Sequence, residues 1–139
     1  MTIYEELKQY AQDCEDGTIT SGKKHVWACQ RFLRDAHDAE RGGSAYYWDE
    51  ESARNIVDWF SLLRHSKGIL SGEPIELMVW QKFRLCQLYG WKRKKDGRRR
   101  FRKSFTMVAR KNAKSQEEAG VALYEISVMA AKNQEVCEF

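Results

Sequence analysis

Eight consecutive residues carry the most chemistry in this chain: Val108-Ala109-Arg110-Lys111-Asn112-Ala113-Lys114-Ser115. Before them, residues 101–109 are rich in aromatic and β-branched side chains, which predicts a strand ending near Ala109. After them, Ala119, Ala122, Leu123, Ile126 and Ala130 recur at helical spacing, which predicts a helix over residues 114–132. A polar loop between a strand and a helix is where backbone amides and the helix dipole converge on an anion. A lysine at the helix start, here Lys114, reaches the β- and γ-phosphates of a nucleotide, and a neighbouring hydroxyl, here Ser115, ligates Mg2+. The strict phosphate-loop pattern, GxxxxGK followed by Ser or Thr, is broken twice, by Val108 and Ala113. On these eight residues alone, a basic loop capping a surface helix is the favoured reading.

The elements upstream must position that loop. Thr2 and Glu5 have the spacing of a capping box, and Ile3, Leu7, Tyr10, Ala11 and Cys14 share one helical face. A second helix is expected over residues 22–41, with Val26, Cys29, Leu33 and Ala36 as its stripe, Thr20 or Ser21 as its cap and Gly42-Gly43 as its stop. Asp49 reads as the cap of a third helix, with Glu50 and Glu51 suiting its dipole and Ala53, Ile56, Val57, Phe60 and Leu63 on its buried side. A fourth helix is expected over residues 79–89, closed by Gly90, and Asp96-Gly97 signals a hairpin or loop. Four helices followed by strand, loop and helix read as the front part of a longer α/β protein, because such a unit belongs to a parallel sheet.

The 139 residues are 42% hydrophobic and 32% charged, with five Trp and one Pro, which argues for a packed domain and against wholesale disorder. No apolar run approaches the ~20 residues that cross a bilayer, and the acidic N-terminus is not a secretory signal. No membrane partner is expected. Cys14, Cys29, Cys86 and Cys137 form no CxxC pair, and His25, His37 and His65 show no metal-like spacing beside them. They read as reduced thiols of a cytoplasmic protein, not a zinc site.

The net charge of +4 conceals a segregation. Residues 1–60 sum to −5, residues 61–115 to +13 and residues 116–139 to −4. Lys92, Arg93, Lys94, Lys95, Arg98, Arg99, Arg100, Arg102 and Lys103 crowd twelve positions, flanked by Trp91 and interrupted by Phe101. Such a segment attracts polyanions, and Lys92 to Arg100 are candidate contacts to DNA phosphates. A solvated basic hairpin is the other reading.

The sequence resembles the N-terminal part of the large subunit of tailed-phage terminases, the ATP-driven motors that package viral DNA. That family often carries a variant loop of the form (V/A)-(P/A)-R-K-x-G-K-(S/T), which residues 108–115 match everywhere but Ala113. Ile19-Thr20-Ser21-Gly22-Lys23, Ala28-Cys29-Gln30-Arg31-Phe32-Leu33-Arg34-Asp35, Trp48-Asp49-Glu50-Glu51-Ser52-Ala53, His65-Ser66-Lys67-Gly68, Trp80-Gln81, Tyr89-Gly90-Trp91 and Arg99-Arg100-Phe101-Arg102 are similar to family segments and follow in the family's order. The likeness spans residues 10–124.

The resemblance implies a helical N-terminal lid, residues 1–90, followed by the first strand, phosphate loop and helix of a P-loop ATPase core, residues 91–139. It implies ATP and Mg2+ as cofactors. Arg110, Lys111, Asn112, Ala113, Lys114, Ser115 and Gln116 would surround the phosphates. Ser115 would hold the metal. Arg110 would stabilise the transferring phosphoryl group as the catalytic residue, and Gln81 would read the adenine edge, although without that context Gln81 reads as an exposed helix residue. Ala113, in place of glycine, and Gln116, in place of a second Thr, depart from the pattern. Double-stranded DNA, a small terminase subunit and a portal ring are the implied partners, in the cytoplasm of an infected host. No apolar strand ending in Asp-Glu follows the loop, nor an acidic nuclease cluster, so this chain alone is expected neither to hydrolyse ATP at a useful rate nor to cut DNA. A non-enzymatic basic nucleic-acid-binding helical protein, or an inactive prophage remnant, are the alternatives.

Overall fold

A computed structural model describes residues 1–66, 68–110 and 113–129. The elements are α1 (Ile3–Glu15), α2 (Lys23–Glu40), β1 (Tyr46–Trp48), α3 (Glu50–Leu62), α4 (Val79–Gly90), β2 (Trp91–Arg93) and α5 (Lys114–Tyr124), the last continuing as a π-helical turn over Glu125–Met129. The protein is thus mostly helical with a small sheet, consistent with part of an α/β protein. The chain divides into two compact units, Met1–Val57 with Leu77–Ser104, and Asp58–Glu76 with Phe105–Phe139. Within the first unit α4 runs directly into β2.

In the first unit α1 opens with the reciprocal cap read from its sequence. The Thr2 hydroxyl accepts from the Glu5 amide at 3.1 Å, and the Thr2 amide donates to the Glu5 carboxylate at 2.8 Å. Its five expected apolar residues are all buried. α1 packs on α2, whose cap differs from expectation. Gly22 is the N-cap and supplies no side-chain bond, while the Ser21 hydroxyl turns back to the Ile19 carbonyl, 3.5 Å away. Asp49 caps α3 as expected, accepting from the Ser52 amide at 3.2 Å and the Ser52 hydroxyl at 2.8 Å.

β1 and β2 pair antiparallel, Tyr46 opposite Arg93 and Trp48 opposite Trp91. Three-residue strands carry too little alternation to be read from sequence. The Asp96-Gly97 signal is realised: Gly97 adopts a φ of 69°, and an isolated antiparallel bridge joins Lys92 to Arg99. Aromatic rings fill the space between the sheet and the helices. Phe32 lies 6.2 Å from Tyr4, 6.1 Å from Trp48, 5.4 Å from Phe83 and 6.0 Å from Trp91, most pairs meeting edge to face.

In the second unit the segment after α3 folds back on itself: Arg64 bridges Pro74, and the Ile75 amide donates to the Leu63 carbonyl at 2.9 Å. α5 buries Glu117, Gly120 and Tyr124. This corrects the expected stripe, since Ala119, Ala122, Leu123 and Ile126 are exposed and Ala130 lies outside the described residues. Aromatic burial outweighs the alanine stripe. Gly120 admits the Phe60 ring, and Trp59 donates its indole N–H to the Gly120 carbonyl at 3.0 Å while its ring meets that of Tyr124 edge to face at 5.8 Å.

The strand expected over residues 101–109 is not formed. The segment holds no regular hydrogen-bonded structure, and no described residue offers it a ladder partner. Its alternation survives in exposure: Phe105 and Met107 stand 86% and 80% exposed, while Thr106 and Val108 are partly covered. A period-2 pattern specifies which side chains share a face, but a strand also needs a neighbour.

Gly90 is the tightest joint of the first unit. A Cβ there would sit 2.7 Å from the Trp48 ring, which is itself wedged against Tyr4, Phe32 and Trp91. Removing a helical glycine ordinarily gains ~1 kcal/mol. Overpacking against an immobile ring costs about 1–3 kcal/mol, and here it prevails. Gly90→Ala is expected to lower the urea unfolding midpoint with an unchanged slope; a raised midpoint would refute the packing argument.

Candidate functional site

The loop between residues 108 and 115 turns at Arg110 and bends at Ala113, where α5 begins. Ala113 is the N-cap of α5 and adopts φ 58° and ψ 20°, the left-handed region. Among the described residues it is the one non-glycine with positive φ. The second glycine of the phosphate-loop pattern therefore falls where the backbone needs a conformation that glycine adopts freely and alanine resists by ~1–2 kcal/mol. Ala113 has no polar side chain to cap the helix, and the first intrahelical bond, from the Glu117 amide to the Ala113 carbonyl, spans 3.0 Å. The amides of Lys114, Ser115 and Gln116 precede that bond and are the donors a helix start presents to an anion.

Lys114 and Ser115 are exposed beside those amides. The Lys114 ammonium lies 3.9 Å from Glu118, one turn on, a loose surface pair that an incoming phosphate could displace. The Gln116 side-chain amide meets the His65 ring at 3.3 Å. Arg110 is exposed. Lys111 and Asn112 lie outside the described residues. A left-handed residue feeding a helix start, with an exposed lysine and hydroxyl in its first turn, is a donor set that suits phosphate oxygens and an oxygen-seeking dication.

Gln81 belongs to the first unit. It is buried, not the exposed helix residue that it reads as without family context. Its side-chain oxygen accepts from the Met78 amide at 2.9 Å and so caps α4.

The basic segment is partly spent on internal partners. Lys92 pairs with Asp49 at 2.6 Å, Arg93 pairs with Asp96, and Arg100 pairs with Asp35 at 2.8 Å. Burial would raise the Asp49 carboxyl, but the bonds from Lys92 and Ser52 prevail and hold it below the usual range. Arg100 also lies over the rings of Tyr46 and Phe101, and Arg99 over Tyr89. Lys94, Lys95 and Arg98 are exposed.

One cluster was invisible to sequence spacing. Cys14, His25 and Cys29 place one ligand atom each within 4.8 Å of one another, contrary to the expectation that no histidine stands near the thiols in a metal-like way. The available signal was His25 and Cys29 four residues apart on one helix, with Cys14 on the apolar face of the helix before it. Cys14, Cys29 and Cys86 are free thiols as expected. Burial pushes the thiols of Cys29 and Cys86 up to about 12.

A family model described as the terminase large subunit, ATPase domain, matches residues 79–137, a stretch holding Gln81, the basic segment and the whole loop. Over this stretch the chain is similar to the ATPase domain of terminase large subunits. The terminase match starts at Val79, so the likenesses before it rest on the residues quoted above. The terminase ATPase family implies a nucleotide and a metal, and the first turn of α5 presents groups that fit both. No curated protein and no solved structure matches the chain. No helix among the described residues is long and apolar enough to cross a membrane.

Ala113→Gly removes ~1–2 kcal/mol of left-handed strain and returns roughly 0.5–1 kcal/mol of unfolded-state entropy. The net expectation is a gain of about 0.5–1 kcal/mol, read as slower hydrogen exchange at the Glu117 amide, which closes the first intrahelical bond. Faster exchange would show that the alanine is unstrained.

Proposed function

We propose that this chain grips ATP for a phage terminase large subunit, the motor that drives double-stranded DNA into a procapsid. The observation that carries the reading is the start of α5. A left-handed Ala113, three first-turn amides, Lys114 and Ser115 stand together inside the segment that matches the terminase ATPase family. Lys114 holds the β/γ-phosphates, and the Ser115 hydroxyl ligates Mg2+. Held there, Mg2+ would neutralise phosphate charge. Lys111, Asn112, Ala113 and Gln116 line the phosphates through the backbone. Arg110 steadies the transferring phosphoryl group, a task for which a guanidinium fork is suited. Gln81 reads the adenine edge with one donor and one acceptor, and to do so it releases its cap on Met78.

DNA, a small terminase subunit and a portal ring are the partners of this motor. The exposed Lys94, Lys95 and Arg98 supply its contact to DNA phosphates. Lys92, Arg93 and Arg100 are held by carboxylates and contribute less.

Two measurements test this. Lys114→Ala should weaken binding of a fluorescent ATP analogue about tenfold or more, the worth of a charge-assisted phosphate contact, and leave DNA binding unchanged. Equal nucleotide affinity in the variant, or none in the parent, sinks the ATP reading and favours a plain nucleic-acid-binding protein. Replacing Lys94, Lys95 and Arg98 together by alanine should reduce the slope of log affinity for duplex DNA against log salt by about 2–3, at about 0.9 per phosphate. An unaltered slope removes these residues from the DNA surface.

A further inference from the structure

The thiols of Cys14 and Cys29 and the ring of His25 meet where the last turn of α1 packs on the first turns of α2. We propose that these three residues bind a soft divalent metal ion, zinc, that clamps α1 to α2. The site lies in the first unit, and it stands or falls independently of the nucleotide reading.

Three observations converge on it. The ligand atoms already lie within 4.8 Å of one another. Zn–S bonds of ~2.3 Å and Zn–N bonds of ~2.0 Å in a tetrahedron set neighbouring ligands roughly 3.3–3.8 Å apart, so closing on the ion takes about 1 Å or so of side-chain movement. The donor set is two thiols and an imidazole, which suits zinc and disfavours the oxygen-seeking cations. The charge balance suits the surroundings as well. The sulfur-bearing residues are 2% and 0% exposed, and the His25 ring meets those of Tyr10 and Phe83 at 5.8 and 5.7 Å. Two thiolates and a neutral imidazole around a dication carry no net charge, which is what an apolar wall tolerates.

The surroundings also orient the ligands. The Tyr10 hydroxyl lies 2.9 Å from His25 Nε2 and holds the ring beside the sulfurs, as outer partners do for metal-bound imidazoles. Tyr10 is buried, so that orientation is fixed. His25 is only half-buried, which leaves an entry path and a fourth position for water. Binding converts two thiols to thiolates and releases their two protons to solvent, the usual linkage at cysteine sites. The clamp would close the connection between α1 and α2, where Gly17 and Gly22 sit and no side chain caps the second helix.

The test uses the full chain, purified reduced and stripped with a chelator, and titrated with cobalt(II) and then zinc. One equivalent of cobalt should produce thiolate-to-metal charge-transfer absorption and the intense visible bands of tetrahedral coordination, and zinc should bleach both. Cys14→Ser and Cys29→Ser should each remove most of the charge-transfer band, His25→Ala should shift the visible bands, and Cys86→Ser and Cys137→Ser should leave the spectrum intact. The unmutated chain gives its answer even if a variant fails to fold. Absence of the bands in that chain, or bands that survive loss of both Cys14 and Cys29, overturns the proposal. So does a Cys14–Cys29 disulfide in protein isolated without reductant, which would assign the pair to redox chemistry.

Discussion

A single carboxylate fixes the geometry of the first unit. Glu50 accepts from the amides of Ile3 at 2.6 Å and Tyr4 at 3.2 Å, and from the Trp48 indole at 2.8 Å. The acid at the start of α3 thereby caps the start of α1 and orients the indole that closes over Gly90. Charge-assisted bonds to orphan helix amides are among the stronger polar contacts in proteins. Once Glu50 sets α1 against α3 and turns Trp48 inward, Phe32 has a fixed set of rings to pack on. The sheet, the end of α4 and the start of the basic segment then follow from those rings.

Charge is segregated along the chain far more than it is in space. The acidic first sixty residues supply Asp35 and Asp49 to the basic middle, and Asp96 neutralises its own neighbour. Two of these pairs are half-buried, and the more exposed Arg93–Asp96 pair contributes little to stability. Their larger effect is on the field. Arg100, half-buried between two aromatic rings and an aspartate, is a structural residue first. The exposed positive charge of the segment lies at the hairpin tip around Gly97 and at Arg102 and Lys103.

Helices were legible because period and caps agree: Thr2 with Glu5, Asp49 with Ser52, and Gly90 at the end of α4 all stand where their chemistry places them. The proposed nucleotide loop is read from Lys114 and Ser115, and the family match covers those residues. What failed had no local signature. Residues 101–109 carry a strand's alternation without a strand's partner. The buried face of α5 is decided by Phe60 and Trp59, which meet Gly120 and Tyr124 from more than fifty residues away in sequence. The role of Glu50 depends on α1 lying beside α3, and the meeting of Cys14 with His25 and Cys29 depends on α1 lying beside α2. Neither packing can be read from spacing along one element.

Ala113 has a genetic consequence. Alanine and glycine codons differ only at the middle base, so the strained loop and its relaxed counterpart are neighbours in mutational space. A lineage bearing the alanine can recover the glycine by one transversion, with no change in loop length and no intermediate residue. Persistence of the alanine in any population of this sequence would therefore record selection, or its absence, and not a lack of opportunity.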